Sequence, residues 1–170
     1  MYKVGDYIMY GKSGVCQIKD ICASPFDEND TKTYYVLSPL FGAATVIYTP
    51  VENTKIASRT LMEKCDASSL IDKMPDICEL EIENEKMRRD IYKQTVASLV
   101  PEGFVKVIKT VYSRRRAFAA AKRHLTEVDV EYESYAKRSL YSELSVVLGI
   151  PFEEVEQYVI DCIEGKKAQA

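Results

Sequence analysis

The feature that most constrains this chain is a change of residue periodicity near residue 55. Before it, short runs of β-branched and aromatic residues recur: Tyr7–Tyr10, Val15–Ile21, Thr33–Leu37 and Ala44–Thr49. Turn-forming stretches separate them, namely Gly11-Lys12-Ser13-Gly14, Ser24–Lys32 and Ser38–Gly42. Runs of that length bounded by such residues read as strands. Four or five strands packed into about fifty residues predict a small, strongly bent barrel, because a flat sheet of that size leaves one face open. Gly5-Asp6 reads as a turn at chain entry, and Pro50, which has no N–H to give a ladder, ends the last strand or marks an exposed edge.

From about residue 58 the apolar residues fall at helical spacing instead. Asp66 or Ser68 is placed to cap a short helix running to Lys73 and stopped by Pro75. Asp76 with Glu79 resembles a capping box, with Glu81, Glu83 and Glu85 adding negative charge to the first turns of a second helix. That helix carries Leu80, Met87 and Ile91 and ends near Leu99, before Pro101 and Gly103. A third uses Phe104, Val107, Ile108, Val111 and Phe118. Thr126 with Asp129 is another capping box, opening a helix through Tyr132, Ala136, Leu140, Leu144 and Val147. Gly149 closes it, and Pro151 starts a last helix with Val155, Tyr158, Val159 and Cys162. The expectation is α+β: a β domain over 1–55, a helical domain over 58–165 and a loose tail over 166–170.

Charge divides the chain again. Residues 86–125 hold eleven basic residues against only Asp90 and Glu102, a net +9, whereas residues 58–85 carry −5 and 126–170 carry −6. Like charge gathered this densely costs self-repulsion, and a polyanion is the natural partner because bound phosphates release counterions. A solvated helical face is the bland alternative. On a helix Lys86, Arg89 and Lys93 fall within about 60° of one another. Lys109, Arg116 and Arg123 recur every seven residues and drift only about 20° per step, with Lys106 beside them. Arg115 falls close to the Phe104–Val111 face, where it marks the helix end or snorkels. The candidate DNA-binding residues are Lys86, Arg88, Arg89, Lys93, Lys109, Arg116, Lys122 and Arg123. No aromatic RNA-recognition motif or zinc-finger spacing accompanies them, so phosphate contacts are expected rather than base reading.

Catalytic chemistry is not indicated. His124 is the only histidine, the five cysteines (Cys16, Cys22, Cys65, Cys78, Cys162) form no C-x-x-C pair, and Gly11–Gly14 is too short for a phosphate-binding loop. No cofactor or metal is expected. No apolar run approaches the roughly 20 residues that span a bilayer, no apolar leader stands at the N-terminus, and a cytoplasmic location is expected.

Several pieces in fixed order carry a family resemblance. They are Val4-Gly5-Asp6-Tyr7-Ile8-Met9-Tyr10, Gly14-Val15, Tyr34-Tyr35-Val36-Leu37, Thr45-Val46, Pro50-Val51-Glu52-Asn53 and Arg59. In the helical half Tyr92-Lys93, Val107–Tyr112 and the run from Leu125 through Ala136 to Leu140-Tyr141-Ser142-Glu143-Leu144 continue it. The chain resembles the CarD/CdnL family of bacterial transcription regulators, whose RNA-polymerase-interacting domain also occurs in transcription-repair coupling factors. The resemblance implies a Tudor-like barrel docking on the polymerase β subunit and a helical domain touching promoter DNA beside the melting bubble, so as to modulate open-complex stability. It also implies a contact near the last barrel strand, here Val46, Ile47 and Tyr48. Three departures stand out. Gly11-Lys12-Ser13 replaces the Pro and His of many members, and Tyr48 stands where some use an arginine. The wedge tryptophan of better-known members is absent, because the chain contains no Trp. Met87 and Tyr92 are the nearest substitutes, and both also fit a core stripe. Two other readings stay open: a ribosomal or RNA-associated binding module, and a non-enzymatic interaction adaptor. The oligomeric state is undetermined.

Overall fold

The computed structural model describes residues 1–26, 31–41 and 45–167, and the chain divides into two compact units, Met1–Leu61 and Met62–Ala170. In the first, five antiparallel strands follow one another: β1 (Tyr7–Tyr10), β2 (Gly14–Ala23), β3 (Thr33–Pro39), β4 (Ile47–Pro50) and β5 (Ser58–Thr60). Their order in the sheet is β4-β3-β2-β1-β5. The sequence places residues 58–60 with the helices. Ser-Arg-Thr carries no apolar alternation to announce a strand, and it is held by pairing Ile8 with Thr60 and Tyr10 with Ser58.

Alternation along β1, β2 and β3 gathers Ile8, Tyr10, Cys16, Ile18, Tyr35 and Leu37 into one core, with Ile47 and Val51 packed against it. The ladder is open rather than a closed barrel: among the described residues β4 and β5 are its edges. It is nonetheless strongly curled. β1 and β4 stand three strands apart, about 14 Å in a flat sheet. Yet the Tyr10 hydroxyl donates to Thr49 Oγ1 at 2.9 Å, and Asn53 Nδ2 donates to both, at 3.2 and 2.8 Å. A buried polar trio thus ties the two strands across the core, each hydroxyl satisfied as burial demands. A shift of register between Ile18 and Asp20 adds a bulge to β2, a device that bends strands locally.

The second unit contains α1 (Lys64–Lys73), α2 (Arg88–Ala97), α3 (Pro101–Ala120), α4 (Glu127–Leu148) and α5 (Val155–Lys167). Phe104, Val105, Val107 and Val111 of α3 are buried, as are Tyr132, Ala136, Leu140 and Leu144 of α4, Tyr92 and Val96 of α2 and Leu70 and Ile71 of α1. The Thr126–Asp129 capping box forms as the spacing predicts, and Gly149 closes α4 in the left-handed conformation with φ 71°. Gly103 has a different reason: a β-carbon there would meet the Thr95 carbonyl oxygen at 2.7 Å, so α2 and α3 approach only because it lacks one.

The second helix departs from expectation. No helix covers residues 77–84, and a 3-10 turn, Glu85–Met87, leads into α2. Asn84 caps that turn by accepting the Lys86 N–H at 3.0 Å. Glu79, Glu81, Glu83 and Glu85 recur every second residue, a spacing that does not gather them on one helical face. The segment instead lies along α3. Leu80 N donates to Thr110 Oγ1 at 2.9 Å, and Ser113 donates to Glu79. Lys109 Nζ donates to the carbonyls of Met74, Pro75 and Ile77 at 3.0, 2.8 and 2.5 Å. Lys64 rather than Asp66 opens α1, with Glu63 at the cap position and no side-chain cap bond. Tyr158 is exposed instead of lining the core.

Candidate functional site

Each unit presents one surface. On the first, β4 is an edge strand whose inner residues are Ile47, packed on the core, and Thr49, fixed by Tyr10. Tyr48 faces the other way, paired across the ladder with Val36, as Pro50 is with Tyr34. Phe26 stacks edge-on against both outward tyrosines, its ring centroid 5.7 Å from Tyr48 and 6.1 Å from Tyr34. Phe26 is 73% exposed, Val46 56% and Tyr48 41%. Large apolar side chains gathered at a strand edge form the kind of patch that partners cover, and the edge itself can accept another strand. Of the candidate docking residues, Val46 and Tyr48 are therefore on the surface, and Ile47 is turned toward the core. Sequence reasoning missed Phe26. Its signal was a bulky aromatic side chain inside turn-forming material.

On the second unit the structure sorts the basic residues into struts and surface. Arg88 is buried: its guanidinium donates to both Glu85 oxygens at 3.0 and 2.8 Å and to the Tyr92 hydroxyl at 2.9 Å. Tyr92 in turn donates to Asp129 Oδ1 at 3.0 Å. Arg114 grips Glu85 bidentately at 2.7 Å through each nitrogen and reaches Asp129 Oδ2 with Nε at 2.9 Å. Asp129, fully buried, also accepts from Thr126 N and Oγ1 at 3.2 and 2.7 Å. One connected set of charges thereby ties the start of α2, the middle of α3 and the first turn of α4. Its electrostatics follow. The Arg88 and then Arg114 hydrogen bonds hold the Glu85 carboxyl down at about 2, and burial pushes the Tyr92 phenol up to about 12. The Arg88 guanidinium is raised further above its already high value, Glu85 being the main cause. Arg115 pairs with Glu133 on α4, and Lys109 is spent on backbone carbonyls.

Arg88 is thus internal and Lys109 half-buried and held by backbone carbonyls, although both stood among the DNA candidates, Arg88 by its place in the basic island and Lys109 by its spacing. Lys86, Arg89, Lys93, Arg116, Lys122 and Arg123 are exposed. Arg89 also pairs with Glu131 at 3.0 Å across an open surface, where such pairs hold little energy. Tyr92 is core, and Met87 is 54% exposed between Lys86 and the start of α2. The guanidiniums of Arg114 and Arg123 both lie over the Phe118 ring, 4.3 and 4.5 Å from its centroid. Periodicity alone could not separate strut from surface, because buried cations sit beside exposed ones on the same helical turns.

Residues 2–61 match the CarD-like/TRCF RID domain, a span that coincides with the first unit to within a residue. The match is confined to the first unit, which is similar to that domain. The RID domain is a non-catalytic, RNA-polymerase-interacting module, so the match points to a transcription-related role for the unit that carries it. No curated protein matches the chain. No group of three or more potential metal ligands occurs among the described residues, and no helix there is long and apolar enough to cross a membrane.

Proposed function

We propose that this is a two-part bacterial transcription regulator. Its RID domain, in this reading a Tudor-like fold, docks on the RNA polymerase β subunit, while its helical unit contacts the backbone of promoter DNA. The observation that carries the proposal is the RID match over residues 2–61. The exposed β4 edge with Val46, Tyr48 and Phe26 is the docking face, and Ile47 supports it from the core side. Lys86, Arg89, Lys93, Arg116, Lys122 and Arg123 supply phosphate contacts; Arg88 and Lys109 are left out because internal partners hold them. Met87, apolar and exposed beside Lys86, takes the place of the wedge tryptophan. The mechanism is linkage: a factor that binds the open complex more tightly than the closed one shifts the population toward open. About 1.4 kcal/mol of differential binding moves that ratio tenfold.

The test uses the purified chain and its Phe26→Ser, Tyr48→Ser double variant. Wild type retains polymerase in a pull-down and lengthens open-complex lifetime under competitor challenge. The double variant loses both while its circular dichroism is unchanged, since both side chains lie outside the core. Retention of polymerase by the double variant refutes the docking face; failure of wild type to retain polymerase refutes the function.

A further inference from the structure

The packing of α3, α4 and α5 leaves one apolar depression uncovered. Between α3 and α5 lies a cavity of about 460 Å³, bounded in part by Met74 and Pro75. Val105, Leu140 and Val159, all buried, form its bottom, so it reaches into the core of the helical unit. Large apolar side chains within reach of solvent stand on its two walls: Tyr112 on α3 is 55% exposed and Ile160 on α5 is 40% exposed. An apolar hollow with such a rim is the kind of surface that a partner covers.

The two walls differ in charge. On α3, Ile108, Tyr112 and Arg116 stand in one row four residues apart, and on α5, Glu156, Ile160 and Glu164 do the same. Lys109 and Arg115 of the α3 wall are held by carbonyls and by Glu133, and Glu156 meets Lys137 at 2.7 Å. Arg116 and Glu164 are left over. Both are exposed, and among the described residues neither makes an ion pair. Glu164 also stands in the last turn of α5, where the helix dipole disfavours a carboxylate.

An occupant that fits must bring a cation to the α5 wall, an anion to the α3 wall and apolar side chains between them. A second copy of this chain brings all three. With a two-fold axis along the groove, each α5 lies over α3 of the other copy. Tyr112 of one copy then meets Ile160 of the other, and Arg116 meets Glu164 at two equivalent places, as an isologous contact requires. An axis across the groove would set α3 on α3 and α5 on α5, with like charges opposed.

We propose that this groove is a self-association face, through which two copies of the chain form a two-fold dimer. The face is small, so the dimer is weak and assembles only where the chain is concentrated. It also draws Arg116 away from the phosphate contacts assigned above. The test is sedimentation velocity on the full chain from about 5 to 200 µM, the range in which a small interface associates. Wild type is expected to pass from monomer to dimer. Arg116→Glu and Glu164→Arg each set like charges opposite one another at both places, and each is expected to weaken the dimer at least about tenfold. Mixed in equal amounts, the two variants regain opposite charges at both places, and a heterodimer of wild-type strength returns. Circular dichroism is expected to be unchanged, since both side chains face solvent. Ile160→Ser removes an apolar contact without altering charge and is expected to weaken the dimer as well. Wild type that stays monomeric at about 200 µM overturns the proposal and leaves the groove to a different chain. Any of the three variants dimerising as strongly as wild type moves the contact elsewhere and overturns it too. Folded charge variants that fail to associate when mixed refute the pairing of Arg116 with Glu164, and the two-fold arrangement with it.

Discussion

Replacing Asp129 with alanine tests whether the charges joining α2, α3 and α4 hold the helical unit together. Its carboxylate is fully buried and receives Tyr92, Arg114 and both donors of Thr126. Removing it leaves the largely buried Arg88 and Arg114 with Glu85 as their remaining anion. Breaking a buried charge set by deleting one partner costs about 3–5 kcal/mol. Because Glu85 still grips both guanidiniums, the low end, about 3 kcal/mol, is expected. A unit of this size is stable by only about 5–15 kcal/mol, so the loss lowers its melting temperature by roughly 12–20 °C. Glu85→Ala is the matched control. It removes the same formal charge from the same two arginines, but the Glu85 side chain is 59% exposed and water replaces much of what it gave, for a cost of about 1 kcal/mol. Urea denaturation followed by circular dichroism at the helical band measures both. Equal costs, or a cost below about 1 kcal/mol for Asp129→Ala, would refute the claim that burial makes Asp129 the keystone.

Two further outcomes follow from the same geometry. Gly103→Ala raises helix propensity by about 1 kcal/mol, yet the new β-carbon meets the Thr95 carbonyl at 2.7 Å, so a net loss of about 1–3 kcal/mol in urea is expected. The Glu85 carboxyl is held near 2 against an ordinary 4.5. Its contribution is therefore complete above the ordinary value and is lost as pH falls toward 2, and the stability of Glu85→Gln should depend less on pH than wild type between pH 4.5 and 2.

Much of this fold was legible because its signals are local. The four longer strands are short runs rich in β-branched and aromatic residues between turn-forming stretches, and Thr126, Asp129 and Gly149 mark both ends of α4 by residue type alone. What escaped depends on partners distant in sequence. β5 is a strand only because β1 accepts it. Residues 77–84 carry a plausible cap and enough carboxylates for a helix start, yet Lys109, Thr110 and Ser113, some thirty positions away, offer that segment's backbone and Glu79 other partners. The basic island was visible as composition. Its division into struts and surface was not, since Arg114 and Arg116 differ only in which carboxylates lie opposite them, and those come from Glu85 and from α4. Phe26 went unnoticed because a turn aromatic has no periodicity to betray it.

Lys109 has a consequence for chemical reactivity. An amine attacks an acylating reagent through its lone pair, and all three N–H bonds of this ammonium group are directed at carbonyl oxygens of residues 74, 75 and 77. It occupies the place a small metal ion fills in other loops, gathering three backbone dipoles at one point. To react, it must surrender its contacts with residues 74, 75 and 77. Lys86, Lys93 and Lys122 are exposed, so amine modification proceeds through them first, and acylation at Lys109 becomes a record that its three carbonyl contacts have opened.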